Sequence, residues 1–387
     1  MKFAPILFGL TLIACSCGQK NKTENVKKED TTKYSLVADR TLDLGIDEGT
    51  SVHNYFYDVF TIRDQEFLGL VNKGKNSLQF YSITNGKLFR EIKLEKKGPD
   101  GFPGLNAFTF LSPDSIFIVS LYADNLWLID IEGKVKKKLN PLNQLQPLHN
   151  LGTGFYTGSK PLYSNGKLYI PACSELRTTS STSFFDPDNK LEVEIDLKDE
   201  RWKFMDVSYP PVYRGHRWKG DISRDLGKNG TLVYSFAADP DVKKYNLVNG
   251  VATSHRSKSI YIKEIKPLNS SDGEDASFKY AIETPKYSNI AYDKYNDVYY
   301  RFIKHQLPAI NSATGEPNTF DDAAFSIMIL DSSLNKIGET KVEDSKHHIN
   351  SYFVSKDGLY ISNTNLKNPD LKTDTLSFTL FKLREIK

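Results

Sequence analysis

Five asparagines recur at one place in a repeating pattern. Asn54, Asn106, Asn150, Asn289 and Asn350 each stand just ahead of a short β-rich run, as in Tyr55-Phe56-Tyr57, Ala107-Phe108, Ile290-Ala291-Tyr292 and Ser351-Tyr352-Phe353. A carboxamide both donates and accepts hydrogen bonds, so a ring of them would suit sugar hydroxyls, peptide groups or an ordered ion. His53, His149 and His348 lie beside the ring, and His216 or Arg217 takes the corresponding place in the one stretch without such an Asn. The competing assignment is local: Asn at the entry to a strand satisfies nearby backbone groups and needs no ligand.

Other reactive side chains point less clearly to chemistry. His347 and His348 are adjacent, and neighbours in a strand face opposite ways, so both cannot ligate one ion without a bend. Asp186-Pro187-Asp188 and Asp239-Pro240-Asp241 lack the glycine and distal glutamate of a calcium loop and read as turns. Arg201-Trp202-Lys203 and Arg217-Trp218-Lys219 set an aromatic ring beside cations, as a sugar or anion site or as a cover over a blade edge. No nucleophile elbow, His-Glu-x-x-His, Cys-x-x-Cys or phosphate loop is present. Gly152-Thr153-Gly154 with Gly158 has the wrong spacing for a dinucleotide fingerprint. No catalytic residue, resident metal or cofactor is therefore expected, and Cys173, far from any other thiol in sequence, reads as a small buried hydrophobe.

The elements that must position these residues are strands. Short apolar runs alternate with tight turns, and a strand pair joined by a polar turn occurs six times. The turns are Arg63-Asp64-Gln65-Glu66, Ser112-Pro113-Asp114-Ser115, Ser164-Asn165-Gly166-Lys167, Lys228-Asn229-Gly230-Thr231, Lys294-Tyr295-Asn296-Asp297 and Ser355-Lys356-Asp357-Gly358. Asn-Gly and Asp-Gly supply the positive φ angles of tight hairpins. Further strands follow, as Leu78–Tyr81 and Leu88–Ile92 do across Asn85-Gly86. Copies starting near residues 55, 105, 150, 216, 288 and 349 predict an all-β, six-bladed β-propeller. The first strand of each blade lines a central channel, with the asparagines at one mouth. The last copy ends after its third strand, residues 376–383, and the strand at 36–44 is expected to complete it, removing the ring's open junction. A sandwich pair or two stacked barrels are the rival folds.

Composition agrees. The 387 residues include 21 Tyr and 23 Phe against 3 Met, which suits pleated, half-buried surfaces. Lys and Arg number 51 against 48 Asp and Glu, so the chain lacks the basic excess of a general nucleic-acid binder.

At the N-terminus, Lys2 precedes an apolar run from Phe3 to Ala14, too short to span a bilayer and shaped like a secretory signal. It ends Leu12-Ile13-Ala14-Cys15, which resembles a bacterial lipobox. Residues 1–14 read as a signal peptide with Cys15 the lipidated residue, Cys17 being the weaker alternative. Residues 15–34 form a polar tether, and 35–387 the propeller domain. No acidic residue follows Cys15 closely, so an outer-membrane anchor facing the periplasm is preferred over the cell surface.

Gly98-Pro99-Asp100-Gly101-Phe102, followed by Pro103, resembles the Gly-Pro-Gly-Glu-Phe type of turn between the first two blades of bacterial six-bladed propeller lipoproteins. These are uncharacterised families similar to TolB-like propellers. Asp114-Ser115-Ile116-Phe117-Ile118 and Leu128-Ile129-Asp130-Ile131-Glu132-Gly133-Lys134-Val135 fit the same pattern. The likeness covers residues 55–140 and departs from the motif at Asp100. It implies a propeller lipoprotein and no catalytic residues. The expected function is non-enzymatic binding of a small polar ligand or an envelope protein by a lipid-anchored propeller. The alternatives are a metal-dependent hydrolase or lactonase of propeller type, and a structural scaffold.

Overall fold

The computed structural model describes residues 32–120, 126–139, 149–150, 155–171, 173–174, 180–269, 274–343 and 345–386. Cys15, Cys17 and the segment read as signal peptide lie outside them. Six four-stranded antiparallel sheets form the six blades. Their innermost strands, Tyr57–Ile62, Leu105–Ser112, Leu162–Ser164, Ile222–Gly227, Lys286–Asp293 and Tyr352–Ser355, surround the channel. A ten-residue helix, α1 (Glu274–Glu283), is the one α-helix among the described residues.

All six hairpin turns lie where their composition places them. Asn165 and Gly166 have φ of 51° and 79°, and Asn229 and Gly230 have 59° and 64°, the left-handed values that tight hairpins need. The first blade achieves the same geometry without glycine, through Arg63 at 47° and Asp64 at 64°. Asp64 belongs to the short polar side chains that tolerate this region. Arg63 has no such excuse, and nothing in its contacts accounts for it.

The ring closes as the sequence predicts. Tyr34–Gly45 pairs antiparallel with Thr375–Glu385, with Leu36 opposite Leu383 and Leu44 opposite Leu376, and a bulge between Ala38 and Thr41. The last blade thus takes its outermost strand from the start of the domain. Within each blade, alternate side chains leave by opposite faces. Phe67 and Val71 pack toward the second blade, whereas Leu68 and Leu70 pack toward the last one. Burial on both faces explains the continuous apolar runs. Every hydrophobic cluster bridges neighbouring blades, so the wheel is held at its seams.

Two copies begin later than expected. The third blade's inner strand starts at Leu162 rather than near 150, and the fourth blade's at Ile222 rather than near 216. His149 and Asn150 instead form a two-residue strand paired with Cys173 and Ser174, outside the blade. The strand Leu162–Ser164 is only three residues long because the preceding chain leaves the blade and crosses the channel. That crossing organises the candidate site.

Candidate functional site

A single turn of 3-10 helix, Thr157–Ser159, plugs the channel between opposite blades. Towards the first blade, the Thr157 N–H donates to the Tyr55 carbonyl at 2.8 Å, and the Tyr57 N–H donates to Thr157 Oγ1 at 3.0 Å. Towards the fourth, Tyr156 Oη donates to the Ile222 carbonyl at 2.6 Å. Arg224 Nη1 donates to the Lys160 carbonyl at 2.7 Å, while its guanidinium grips Glu192 through Nε and Nη2 at 2.6 and 2.8 Å. Gly158 permits this passage. A Cβ there would lie 2.5 Å from Ser223 Oγ and 2.6 Å from Asn289 Oδ1. The plug divides the channel into an end where the inner strands start and an end where their hairpins turn.

At the strand-start end the predicted asparagines take up different roles. Asn54 Oδ1 accepts from the Phe56 N–H at 3.0 Å and its Nδ2 donates to the Val71 carbonyl at 3.0 Å, which is the local capping arrangement. Asn289 Nδ2 donates to Asn350 Oδ1 at 3.0 Å and to the Ile349 carbonyl at 3.1 Å, joining the fifth and sixth blades. Asn106 is 1% exposed, and its amide has no partner among the described residues. Asn106 and Asn289 both sit where a bulge interrupts the inner-strand register, the device that re-aims a side chain.

The histidines separate. His348 packs at a tilt against Tyr55 with ring centroids 4.8 Å apart, and its Nε2 lies 3.6 Å from Asp321 Oδ1. Burial pushes His348 below the usual histidine value despite Asp321. His347 instead lies edge-on to Phe381; both histidines stand in the loop ahead of the last inner strand, so the strand alternation expected from the sequence does not apply to them. His216 is exposed beside Trp218, and Arg217 pairs with Leu268 and donates to the Asn269 carbonyl, so the contacts of both are away from the mouth amides. Ser223 stands in their place, its Oγ accepting from the Ile290 N–H at 2.9 Å. His53 and Asn54 line a cavity of about 420 Å³ with Tyr55, Lys73, Phe155 and Tyr156.

The hairpin end is charged, which no sequence pattern revealed. Lys160 Nζ lies 2.5 Å from Asp58 Oδ1. Asp225 accepts from the Leu226 and Tyr292 N–H groups at 2.8 and 2.9 Å. Burial drives the Asp225 carboxyl above the usual carboxylate range, and Lys160 offsets only part of that. Burial alone would lower Lys160, but Asp58 and Asp225 hold it above the ordinary lysine value. Glu66 caps this end, accepting from Tyr295 Oη and from the Lys356 N–H at 3.1 Å. Glu66, Lys160 and Asp225 line a cavity of about 190 Å³ with Tyr292, Tyr295 and Tyr352. Among the described residues no group of three or more His, Cys, Asp or Glu could hold a metal ion.

Six antiparallel blades closed by the N-terminal strand define the protein as a six-bladed β-propeller with a plugged channel. The chain belongs to the DUF4221 family, a domain of unknown function, whose model matches residues 33–341. A member of that family from Bacteroides vulgatus is similar over 92% of this chain and 100% of its own, at 25% identity and a TM-score of 0.80. A Bacteroides fragilis protein, named as a candidate for export, shares the fold at 12% identity and a TM-score of 0.56, covering 92% of this chain and 97% of its own. No curated protein matches the sequence.

Proposed function

We propose that this protein is a lipid-anchored propeller of the cell envelope that binds a small polar ligand at the strand-start mouth, without catalysing its conversion. The observation that carries the reading is the cavity in which His53, Asn54 and Tyr55 meet Tyr156 of the plug. Its wall combines amide, imidazole, phenol and ammonium groups around an aromatic floor, the mixture by which concave sites orient polar ligands. Anchoring is supported by Leu12-Ile13-Ala14-Cys15 and the polar segment behind it. The periplasmic side of the outer membrane is favoured by the lack of acidic residues next to Cys15.

The test is a thermal-shift screen of monosaccharides, amino acids and short peptides against the parent and a His53→Ala variant. At least one compound should raise the parent's melting temperature and leave the variant's unchanged, with both far-ultraviolet β spectra alike. Equal shifts in parent and variant would retire the mouth as the site. In cells, Cys15→Ser should abolish palmitate labelling; labelling that persists would move the anchor elsewhere.

A further inference from the structure

We infer that a second cavity on the strand-start face, between the fourth and fifth blades, is a subsite for one ring of a saccharide chain. The inference rests on the mouth as a ligand site and extends it. The cavity, of about 190 Å³, is lined by Trp218, Asp221, Tyr280, Lys286 and Phe320. Asp221 immediately precedes one inner strand and Lys286 begins the next, which places the cavity on the same face as the mouth.

Its chemistry selects the ligand. Trp218 is 6% exposed, yet its indole N–H has no acceptor among the described residues. A buried donor left unpaired is costly, and Trp218 lines the cavity, so a ligand acceptor gains this N–H once the indole edge turns toward it. Tyr280 of α1 and Phe320 are half-buried and present ring surface, while the Tyr280 hydroxyl is already committed to the Lys266 carbonyl at 2.7 Å. At the rim, Lys286 Nζ lies 2.5 Å from Asp221 Oδ2 and 5.4 Å from the centre of the Phe320 ring. Aromatic faces with an unpaired donor and a carboxylate at the edge match a sugar ring, which has apolar C–H faces and a hydroxyl perimeter. A purely apolar ligand would leave the N–H unsatisfied. An anion would meet Asp221, which already neutralises Lys286.

A row of ring contacts runs between the two cavities. The Phe320 and His348 ring centroids are 6.5 Å apart, and His348 packs against Tyr55, which lines the mouth cavity. Tyr55 and Phe320 thus stand on either side of the buried His348 ring, and a ligand that fills both cavities has to be a chain of rings, so the ligand class is an oligosaccharide rather than a single sugar.

The experiment follows the indole N–H signals of the full chain, which has three tryptophans, in a heteronuclear NMR titration with malto-, cello-, xylo- and chito-oligosaccharides. Trp218→Phe assigns the reporter; Trp127→Phe and Trp202→Phe assign it by elimination if that variant does not fold. At least one series should move the Trp218 signal saturably and leave the other two in place, and Phe320→Ala should weaken that binding about ten-fold. A Trp218 signal that no series moves, or an unchanged affinity in Phe320→Ala, overturns the subsite. A saccharide whose binding is lost in His53→Ala without moving the Trp218 signal keeps the mouth and overturns the subsite. Movement of Trp218 that His53→Ala leaves untouched keeps the subsite and overturns the mouth.

Discussion

The two ends of the channel bury polar groups by different means. At the strand-start end, Asn54 is satisfied by backbone groups within its own blade, and Asn289 by the blade beside it. Neutral amides need only hydrogen bonds, which these two find close by, whereas the buried Asn106 amide has no partner among the described residues. At the hairpin end, Lys160, Asp58 and Asp225 come from the plug, the first blade and the fourth blade. Charges taken out of water need a partner of opposite sign, and here every such partner lies on another element. The amide end therefore tolerates the loss of one member, whereas the charged end depends on all three together.

The strongest way to break this contrast is Lys160→Met. It leaves Asp58 close to Asp225 without a cation, and removing one partner of a buried pair typically costs about 3 kcal/mol. Urea unfolding should show that loss, and adding Asp58→Asn should recover most of it. A single variant with the parent's midpoint would mean that solvent, not Lys160, balances the carboxylates.

Gly158→Ala tests the divider between the ends and should cost about 2 kcal/mol, because the new methyl must displace Ser223 or Asn289. Differential scanning calorimetry reads it directly, and an unaltered melting temperature would show that the plug can shift aside.

Acid sharpens the comparison with a smaller effect, because the two ends should respond with opposite sign. The folded pKa of His348 lies below the 6.5 of the free side chain, so in that window the unfolded chain binds more protons. The stability His348 contributes is present above pH 6.5 and is lost as pH falls toward its folded pKa. The folded pKa of Asp225 lies above 3.8, so there the folded chain binds more protons and stability rises as pH falls through that window. Between neutral pH and pH 4, a His348→Gln variant should thus lose less stability than the parent, and Asp225→Asn should lose more. Parallel curves for all three proteins would contradict the assignment.

Much of the wheel was legible along the chain. Asn165-Gly166 and Asn229-Gly230 announced their hairpins because the positive φ they provide is a property of those residues alone. The closing strand was visible because residues 36–44 were a strand without a partner and the last blade lacked a fourth. The third blade was the failure. An inner strand of three residues carries no period to read, and the segment before it takes its partners from elsewhere. Tyr156 bonds 66 residues away, and Lys160 reaches a partner 102 residues away. In the sequence Gly158 is only one of an ill-spaced glycine set; the close passage it permits depends on the neighbouring blades. The type of Trp218 is plain in the sequence, but that its N–H lacks an acceptor among the described residues depends on neighbours the fold supplies.

The amino-acid order by itself determined the hairpins, the number of blades and the closure, since turn geometry and side-chain alternation act between residues close in the chain. Tertiary structure alone decided that the channel is plugged and which polar groups face each end. Those groups are brought together from blades far apart in sequence, and whether a buried charge or donor is tolerable depends on a partner that no local pattern encodes.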